Sequence, residues 1–256
     1  MEKIKMETDI SVFPDEIKHL FENTTVYDSS CSEEARVYYL DTGYYVKTAP
    51  LHSLASEATA GKLFYEKGLG VEIVSYISAD RDYLVTRSAH GLDLTHCLDN
   101  PEKLCRILAT ALRRLHLQPV ETAPLSPKHY MYMAAADSKE SDGSYDEKYI
   151  LGCYRMTKSE AWNIMQKNRH LLGADSLIHG DACLPNIIWS DDFFTSFIDF
   201  SMAGAGDKHI DLYWAIWSLQ FNLKTDSYTD MFLDMYGRDN FSEEILRTVA
   251  AYEYFG

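Results

Sequence analysis

The pattern of apolar residues changes about one third of the way along the chain, and this change constrains the fold more than any other feature. Short runs of β-branched and aromatic residues, typical of strands, dominate residues 1–90. Apolar residues at helical spacing dominate after residue 100. We therefore expect an α+β fold with a small antiparallel-sheet lobe over residues 1–90 and a larger, mainly helical lobe over residues 92–256.

Four strands and one helix are predicted in the first lobe. Two of the strands form a hairpin, because Asp41-Thr42-Gly43 between them has the composition of a turn. The helix is expected to end at Gly68, since glycine is the usual residue of a C-terminal cap. In chain order the predicted elements are Arg36–Leu40, Tyr44–Thr48, the helix Ser53–Lys67, Val71–Ile77 and Asp82–Thr86.

Helices dominate the second lobe. Asn100 can cap a helix in which Pro101 takes the first position and an apolar stripe runs from Leu104 to Leu115. Thr157–Glu160 has the sequence of a capping box, and that helix is expected to stop at Gly173. The remaining expectations are an irregular stretch over residues 119–146, a hairpin of Asn186–Ser190 with Phe193–Asp199, and helices near Ile210–Phe221, Asp226–Tyr236 and Ser242–Phe255.

The acidic composition narrows the possible functions. The chain has 24 Lys and Arg against 39 Asp and Glu, which gives a net charge of −15. This balance argues against a nucleic-acid binder, which needs a basic face, and suits a polycationic small-molecule partner. No apolar run approaches the roughly 20 residues of a membrane span, and the N-terminus lacks the apolar core of a secretory signal. Five cysteines without a CxxC pair indicate reduced thiols, a cytoplasmic protein and no structural zinc.

The strongest functional signal is the segment His179-Gly180-Asp181-Ala182-Cys183-Leu184-Pro185-Asn186, followed by Asp199 18 residues after Asp181. Phosphoryl transfer needs a carboxylate that orients the attacking hydroxyl and oxygen ligands that hold magnesium against the phosphates. Asp181 supplies such a carboxylate, and Asn186 and Asp199 supply the hard oxygen atoms that Mg²⁺ prefers. A lone Asp-x4-Asn pair is common by chance. Its combination with a preceding His-Gly, a predicted hairpin and a later aspartate is much rarer.

The segment HGDACLPNI resembles the catalytic loop of the aminoglycoside 3′-phosphotransferases, antibiotic-resistance kinases with a protein-kinase-like fold. The following IDFSMAGAGDKHIDL is similar to the next segment of that family, with Asp199, Gly204, Asp207 and Asp211 in register. LRRLHLQPVETAPL, residues 112–125, also resembles the family, and the resemblance is weakest before residue 35 and across residues 129–170. It implies a bilobal protein-kinase-like fold with a hinge at about residues 86–91.

The resemblance also implies a nucleotide site. Lys47 would bridge the α- and β-phosphates of ATP, and Glu57 would hold that lysine. Tyr45 shares the side-chain parity of Lys47 and would stack on adenine. Taken alone, the two charges are ordinary surface residues and the tyrosine is ordinary packing. The other nucleotide contacts implied are backbone groups of the hinge at Arg87 and Ala89, together with Ile198 and Ser32.

The same resemblance divides the catalytic region into roles. Asp181 would be the catalytic base or hydroxyl-orienting group, and Asn186 and Asp199 would hold magnesium. His179 would pack against the catalytic loop rather than act as a base. Asp211 would accept hydrogen bonds from that loop and is therefore expected to be structural.

A cationic substrate is implied as well, because several carboxylates around a cleft attract protonated amines. For any single one of these residues, a solvated acidic surface is the ordinary alternative. The expected substrate-binding groups are Asp146, Glu147, Glu243, Glu253 and, if the native chain ends there, a terminal carboxylate at Gly256, with Asp137, Glu140 and Asp142 in the same acidic segment as the first two.

The chain departs from the family pattern at two places. Residues 29–36 contain no glycine, although the family usually has a phosphate loop with Gly and Ser there, and they include two glutamates. Relatives commonly carry arginine where this chain has Met202 and Trp217. Both positions are expected near the acceptor site, so we expect a narrower or shifted acceptor range.

These observations predict a cytoplasmic, magnesium-dependent kinase that transfers the γ-phosphoryl group of ATP to a hydroxyl of an aminoglycoside, most simply the 3′-hydroxyl. The expected partners are a nucleoside triphosphate and a polycationic aminoglycoside, with no nucleic acid or membrane, and the protein is expected to be a monomer or weak dimer. Two alternatives remain open. One is a related kinase of choline, homoserine, a ketosamine or a macrolide, and the other is a non-catalytic, kinase-like nucleotide-binding module.

Overall fold

The computed structural model describes residues 3–30, 35–137 and 145–255. Within these ranges the chain forms two compact units. The first unit comprises Met1–His90 together with Ser196–Ser201, and the second comprises Gly91–Thr195 together with Met202–Gly256. The short segment that contains Asp199 therefore belongs to the same unit as the N-terminal part of the chain.

The described residues of the first unit form six strands: β1 (Ile4–Met6), β2 (Val26–Asp28), β3 (Arg36–Leu40), β4 (Tyr44–Ala49), β5 (Ile73–Ser78) and β6 (Asp82–Arg87). They form one antiparallel sheet in the order β1-β2-β3-β4-β6-β5. The four predicted strands are confirmed, including the β3–β4 hairpin. β1 and β2 were not predicted, because three residues are too few to show a period of two.

The sheet buries two different faces. On one face Val46 and Val85 are fully buried in a core that includes Phe13 and Phe21, whose rings stack with centroids 4.1 Å apart. The short helix α1 (Asp15–Lys18) connects these two phenylalanines. Because side chains alternate along a strand, the neighbours of Val46 in β4 point to the opposite face.

Helix α2 (Ala55–Glu66) covers part of that opposite face and confirms the predicted helix. Ala58 packs in one apolar cluster with Ala49 of β4 and Leu84 of β6. The helix begins after Leu54, whose backbone N–H donates to Asp82 Oδ2 at 2.9 Å. Asp82 is completely buried, so this hydrogen bond anchors the start of α2 to the sheet.

The described residues of the second unit form two small sheets and six α-helices. The strands are β7 (Leu92–Asp93), β8 (Ser176–Ile178), β9 (Ile187–Ser190), β10 (Phe193–Phe197, whose last two residues belong to the first unit) and β11 (Gly204–Gly206). One sheet has the order β10-β9-β7 and the other pairs β11 with β8. The helices are α3 (Pro101–His116), α4 (Pro127–Asp137), α5 (Lys158–Asn168), α6 (Lys208–Leu223), α7 (Thr229–Tyr236) and α8 (Glu243–Tyr252).

The local signals for caps and turns are confirmed in this unit. Asn100 accepts a hydrogen bond from the Lys103 N–H at the start of α3, and the capping box of Thr157 with Glu160 starts α5. The predicted hairpin forms between β9 and β10, with φ of 50° at Asp191 and 69° at Asp192. A two-residue hairpin loop of type I′ needs a left-handed backbone conformation at both of its residues, and aspartate tolerates this conformation.

Two predictions for this unit are wrong. Residues 119–146 are not irregular throughout, because they contain α4. The buried residues of α4 are His129, Tyr132 and Ala136, whose mixed polarity hides the helical spacing. The other error concerns α5, which ends at Asn168 and continues as a 3₁₀ turn over Arg169–Leu171, before the expected stop at Gly173.

The cysteines of the described residues are free thiols. Cys97 and Cys105 are buried, whereas Cys153 is exposed. In the described ranges, no helix combines the length and the apolar character required to cross a membrane.

Candidate functional site

Lys47 is held by two carboxylates in the first unit. Its side chain leaves β4 on the face that α2 covers, and Nζ lies 2.8 Å from Glu57 Oε2 in the first turn of α2. Nζ also lies 3.4 Å from Asp199 Oδ1. The side chain of Glu57 is 6% exposed and that of Asp199 is 46% exposed. One carboxylate therefore fixes the lysine from inside the protein, and the other lies where solvent or a ligand can reach it.

The charge of Lys47 is stabilised by this arrangement. Burial of the ammonium group disfavours the charged form, but Asp199 and Glu57 outweigh burial, so the pKa of Lys47 is raised above its ordinary value. The lysine consequently remains cationic at neutral pH. A fixed ammonium group of this kind can bind the oxygen atoms of a phosphate chain.

Asp199 is positioned by the aromatic residues on either side of it. Phe197 donates its backbone N–H to the Leu69 carbonyl at 2.7 Å, and its ring meets that of Phe64 of α2 edge-on. Phe200 is buried against the same Phe64, with ring centroids 5.0 Å apart. Between these anchors Asp199 has a φ of 60°, an uncommon conformation for a residue other than glycine.

The close approach of Phe200 depends on a glycine. A Cβ atom at Gly70 would lie 2.8 Å from both Phe200 Cζ and Phe64 Cβ. This distance is shorter than a nonbonded carbon–carbon contact allows, so only glycine fits between the two rings. Gly70 therefore supports the placement of Asp199 although it is remote from it in the sequence.

The other residues expected at the nucleotide site occupy different places in the first unit. Tyr45 is half-buried on the same sheet face as Lys47, and its ring lies 4.9 Å from that of Tyr39. Arg87 is exposed, lies over the Tyr44 ring and pairs with Glu72. Ala89 and Ile198 are half-buried. Ser32 lies outside the described residues.

In the second unit, Asp211 of α6 holds the start of the predicted catalytic loop. Its two carboxylate oxygens accept the backbone N–H groups of His179 at 2.8 Å and Gly180 at 2.7 Å. Asp211 and His179 are both fully buried. Gly180 has a φ of 78°, and a Cβ atom there would lie 2.2 Å from the Met202 carbonyl oxygen. The loop therefore needs glycine at this position to pass over residue 202.

Asp181 and Asn186 form a hydrogen-bonded pair at the two ends of this loop. Asn186 Nδ2 donates to Asp181 Oδ2 at 2.9 Å and to the Asp181 carbonyl at 3.0 Å. Both bonds use the amide nitrogen of Asn186, so the amide oxygen is the atom suited to a cation. Asp181 is only partly buried, whereas Asn186 is buried. The carboxylate can thus meet a ligand while the amide fixes its direction.

The rest of the loop rests on α6. Leu184 donates its backbone N–H to Ser218 Oγ at 3.0 Å, and the Cys183 thiol lies 4.0 Å from the Trp214 carbonyl. Burial, with a smaller contribution from Asp181, raises the pKa of the Cys183 thiol well above its ordinary value. The thiol therefore stays protonated and is unsuited to act as a nucleophile.

His116, which contacts Asp211, and Tyr236, which contacts His116, were given no role in the sequence analysis. His116 Nε2 lies 3.1 Å from Asp211 Oδ2, and His116 Nδ1 lies 2.9 Å from the Tyr236 hydroxyl. His116 ends α3 and Tyr236 ends α7, so the network ties three helices to the loop. His116 lies in the segment 112–125 that resembles the family, but this resemblance does not reveal that His116 contacts Tyr236 and Asp211.

The expected substrate carboxylates have different surroundings. Asp146 caps the 3₁₀ turn Glu147–Tyr149 and pairs with Lys148 at 2.6 Å, and Glu147 is exposed. Glu243 is exposed and accepts a hydrogen bond from the Tyr154 hydroxyl at 2.6 Å.

Glu253 differs from the expectation of a carboxylate that faces a substrate. Its side chain is 5% exposed, pairs with Lys128 at 3.2 Å and accepts a hydrogen bond from the Tyr132 hydroxyl. Its charge is thus compensated inside the protein, which argues against a role for it in binding a cationic substrate. Glu140, Asp142 and Gly256 lie outside the described residues.

The two positions that depart from the family pattern make contacts of their own. The Met202 carbonyl accepts a hydrogen bond from Ser126 Oγ at 2.7 Å. Trp217, on α6, donates its indole N–H to the Lys148 carbonyl at 2.7 Å. Trp217 therefore contacts the segment that carries Asp146 and Glu147 through a neutral hydrogen bond, where an arginine would bring a positive charge.

The sequence and the fold both resemble those of known phosphotransferases. Residues 32–252 match the phosphotransferase enzyme family. The chain is 37% identical over 257 residues to a probable aminoglycoside 3′-phosphotransferase of Lactococcus lactis subsp. lactis, and the match covers 98% of each chain. Among solved structures, an aminoglycoside-3′-phosphotransferase of type VIII is 23% identical with a TM-score of 0.67, covering 89% of this chain and 92% of that one.

A third similar protein is an aminoglycoside phosphotransferase of Streptomyces rimosus, solved in complex with ADP and streptomycin. It is 19% identical with a TM-score of 0.64, and the match covers 86% of this chain and 91% of that one. The chain belongs to the phosphotransferase enzyme family. Its fold is the kinase-like fold of the aminoglycoside phosphotransferases, so the predicted fold class is confirmed.

Proposed function

We propose that this protein transfers the γ-phosphoryl group of ATP to a hydroxyl of an aminoglycoside, most simply the 3′-hydroxyl. The observation that carries the phosphotransfer part is the clamping of Lys47 between Glu57 and Asp199. A lysine with one buried and one accessible carboxylate partner has the arrangement that kinases use on a phosphate chain. The nature of the acceptor follows from the similarity over nearly the whole chain to a probable aminoglycoside 3′-phosphotransferase.

Lys47 would bind the α- and β-phosphates, and Glu57 would keep its ammonium group in place. Tyr45, on the same sheet face, offers its ring to the adenine. Backbone groups near Arg87 and Ala89 at the end of β6 would bind the edge of the base, and Ile198 would contribute apolar contact.

Asp181 would accept the hydrogen bond of the attacking hydroxyl and take its proton as the hydroxyl oxygen bonds to the γ-phosphorus of ATP. The bond from that phosphorus to the β,γ-bridging oxygen breaks in the same step, and ADP leaves. The amide of Asn186 keeps the carboxylate in one orientation, at 2.9 Å. Asp211 and His116 would act on the loop rather than on the substrate, because the carboxylate of Asp211 is used by backbone N–H groups and a histidine. His179 would likewise be a packing residue.

Magnesium fits the donor atoms that these residues offer. Asp199 presents a carboxylate with nearly half of its side chain exposed, and Asn186 has its amide oxygen free of the bonds to Asp181. Both are hard oxygen donors, and Mg²⁺ commonly takes few protein ligands beside phosphates and water. When bound, the ion would neutralise negative charge on the phosphates. Asp199 and Asn186 would be its ligands from this chain.

The acceptor would be held by carboxylates of the second unit. Asp146, Glu147 and Glu243 are the expected residues with exposed surface, and protonated amines of an aminoglycoside would pair with them. The net charge of −15 adds a long-range attraction for such a polycation. Glu253 is not among these residues, because Lys128 already compensates its charge.

The experiment is an ADP-release assay with ATP and Mg²⁺ over a panel of kanamycin, neomycin, streptomycin, choline and homoserine, followed by NMR of the product. We expect turnover with the aminoglycosides and phosphorylation at the 3′-hydroxyl where one is present. Faster turnover with choline or homoserine than with any aminoglycoside would assign the protein to another acceptor. No ADP release above the rate without acceptor, with any compound, would refute the kinase proposal.

Calorimetry of ATP binding tests the metal part separately. We expect Mg²⁺ to tighten ATP binding to the wild-type protein, and we expect Asp199→Asn to lose most of this effect because an amide supplies no charge to the ion. Asp191→Asn, on the turn of the β9–β10 hairpin, is the matched control. Equal affinities with and without Mg²⁺ in both proteins would remove Asp199 from the metal site.

A further inference from the structure

Four aromatic side chains of the second unit form a continuous cluster, which we call the aromatic wall: Tyr149, Trp214, Trp217 and Phe221. The Tyr149 ring lies 5.6 Å from that of Trp214 and 5.3 Å from that of Trp217. Trp214 and Trp217 are 5.5 Å apart, and Trp217 stacks on Phe221 at 5.0 Å with an interplanar angle of 14°. Three of these side chains are half-buried, and Phe221 is 50% exposed.

The aromatic wall and the catalytic loop share helix α6. Asp211, Trp214 and Ser218 lie three and four residues apart, and each makes the contact to the loop given above. Trp214, Trp217 and Phe221 have the same spacing and form the adjoining stripe of the helix. Trp214 gives its backbone carbonyl to the loop contact and its ring to the wall, so the wall adjoins the place where the loop that carries Asp181 is attached.

The aromatic wall is also joined to the acidic turn. Trp217 donates its indole N–H to the Lys148 carbonyl at 2.7 Å, and the Tyr213 hydroxyl donates to the Tyr149 carbonyl at 2.9 Å. These bonds fix the 3₁₀ turn that follows Asp146 and contains Glu147. These two hydrogen bonds therefore connect the aromatic rings of the wall to the turn that carries the exposed carboxylates of Asp146 and Glu147.

Ammonium groups of the protein already lie over three rings of the wall. Lys148 Nζ is 4.7 Å from the Tyr149 centroid, Lys128 Nζ is 4.9 Å from that of Trp214, and Lys224 Nζ is 4.1 Å from that of Phe221. At these distances the negative face of an aromatic ring attracts a cation. The rings of Tyr149, Trp214 and Phe221 thus attract ammonium groups, and a cationic ligand would compete with Lys148 for the Tyr149 ring.

We propose that the aromatic wall is a subsite for the acceptor, in which an amine-bearing sugar ring lies against Trp217 and Tyr149 while its ammonium groups pair with Asp146 and Glu147. The inference rests on the proposed function and adds to it how the acceptor is recognised. An apolar sugar face and a ring face exclude water from each other, and the nearby carboxylates select a cationic sugar over a neutral one. Trp217 would have two tasks: it contacts the acceptor and it holds the acidic turn.

Calorimetric titration of kanamycin into the protein, without nucleotide, tests the subsite directly. Trp217→Leu removes the ring and the N–H, and we expect it to weaken kanamycin binding by about tenfold. Trp217→Phe keeps a ring but not the bond to the Lys148 carbonyl, so a smaller loss is expected. Trp162→Leu is the control and should leave kanamycin binding unchanged. Trp162 lies in α5 and its ring packs on that of Phe255.

Lys148→Ala should change kanamycin affinity in the opposite direction to Trp217→Leu. It therefore distinguishes a ligand contact from a purely structural role of the wall. The variant keeps the Lys148 carbonyl, frees the Asp146 carboxylate and uncovers the Tyr149 ring. We expect it to tighten kanamycin binding by about threefold, which loss of a merely structural contact would not do. ATP affinity should be the same in all variants, because none of these residues is assigned to the nucleotide.

The outcomes distinguish this subsite from the proposed function. Unchanged kanamycin affinity in folded Trp217→Leu and in Lys148→Ala would overturn the subsite, even if the wild-type protein phosphorylates kanamycin. Wall-dependent binding of kanamycin without its phosphorylation would support the subsite and would refute kanamycin as an acceptor. If Trp217→Leu does not fold, Phe221→Leu and Lys148→Ala decide the matter. No binding of kanamycin or neomycin to the wild-type protein would also overturn the subsite, while the ADP-release panel judges the kinase proposal independently.

Discussion

Asp181 and Asn186 show how a single residue obtains its orientation from a neighbour. The carboxylate of Asp181 is partly accessible, and the buried amide of Asn186 holds it with a bond of 2.9 Å. The amide in turn belongs to a loop that Asp211 fixes through two backbone N–H groups. If Asp181 orients and deprotonates the acceptor hydroxyl, its loss must affect turnover rather than nucleotide binding.

We therefore predict that Asp181→Ala lowers kcat by about two orders of magnitude or more while the Kd for ATP changes little. Steady-state kinetics with kanamycin and calorimetry with ATP measure the two quantities. Asp226→Ala, at an exposed carboxylate of the same unit, serves as control and should retain full activity. An Asp181→Ala protein with a third of the wild-type rate would show that the base has been assigned to the wrong residue.

The two carboxylate partners of Lys47 differ in their exposure to solvent. Glu57 is buried, whereas the second partner of the lysine, Asp199, is 46% exposed. Lys47→Met leaves the Glu57 carboxylate buried without its cation, and Glu57→Gln leaves Lys47 with Asp199. A buried charge that has lost its partner costs more than a charge that keeps one.

We predict that Lys47→Met lowers the free energy of unfolding by about 3 kcal/mol and that Glu57→Gln lowers it by less. Both variants should raise the KM for ATP. Urea unfolding followed by circular dichroism measures the first effect, and Lys62→Met, at an exposed lysine of α2, controls for the substitution itself. A larger loss of stability in Glu57→Gln than in Lys47→Met would contradict the asymmetry.

At the level of elements, the segment around Asp199 is attached to α2 and the sheet of the first unit by its flanking phenylalanines. The Phe200 ring reaches its site only because Gly70 has no side chain. A methyl group at residue 70 must push Phe200 or Phe64 away, and the backbone between Phe197 and Phe200 would have to move with it. Asp199 would then leave its position beside Lys47.

We predict that Gly70→Ala lowers the free energy of unfolding by about 1–3 kcal/mol and lowers kcat/KM for ATP as well. Gly152→Ala is the matched control, since a Cβ atom at Gly152 would meet nothing within 4 Å. Thermal unfolding and the ADP-release assay measure the two effects. Wild-type stability and activity in Gly70→Ala would mean that the segment adjusts without moving Asp199.

Elements with a strong local signal were predictable from the sequence, and elements defined by distant contacts were not. Helix α3 has a cap, a proline and an uninterrupted apolar stripe, so its bounds follow from the sequence. Helix α4 turns His129 and Tyr132 inward, and its burial is decided by partners such as Glu253 that lie far along the chain. Strands β1 and β2 also lack a local sequence pattern. They are defined by pairing, because β2 pairs with β3 and β1 pairs with β2.

The same distinction applies to the candidate site. The spacing of Asp181, Asn186 and Asp199 was visible, as was the parity of Tyr45 and Lys47. The internal neutralisation of Glu253 by Lys128 was not, because neither residue has a local pattern that reveals the other. The aromatic wall was also missed, since Tyr149 and Phe221 are 72 positions apart and no sequence period links them.

For the molecule as a whole, buried phenols should determine the response to alkaline pH. Burial raises the pKa of Tyr252 to about 12, and burial is also the largest cause of raised pKa values at Tyr132, Tyr154, Tyr213 and Tyr236. In the unfolded chain the same phenols ionise near pH 10. Below that pH both states are neutral and the full stability is present. Above it only the unfolded state releases protons, so the free energy of unfolding falls with rising pH.

Tyr252 offers a test of this account at one atom. Its hydroxyl is buried and finds no hydrogen-bond partner among the described residues, while its ring stacks on Tyr132 at 4.9 Å. Tyr252→Phe keeps the stacking and removes the group that must not ionise. We therefore predict equal or higher stability than wild type at neutral pH, by up to about 1 kcal/mol, and a shallower loss of stability above about pH 10.

Urea midpoints across this pH range measure both effects. Tyr130→Phe, at a tyrosine that is 63% exposed, should follow the wild-type curve throughout. Parallel curves for wild type and Tyr252→Phe would show that this phenol ionises without cost in the folded protein.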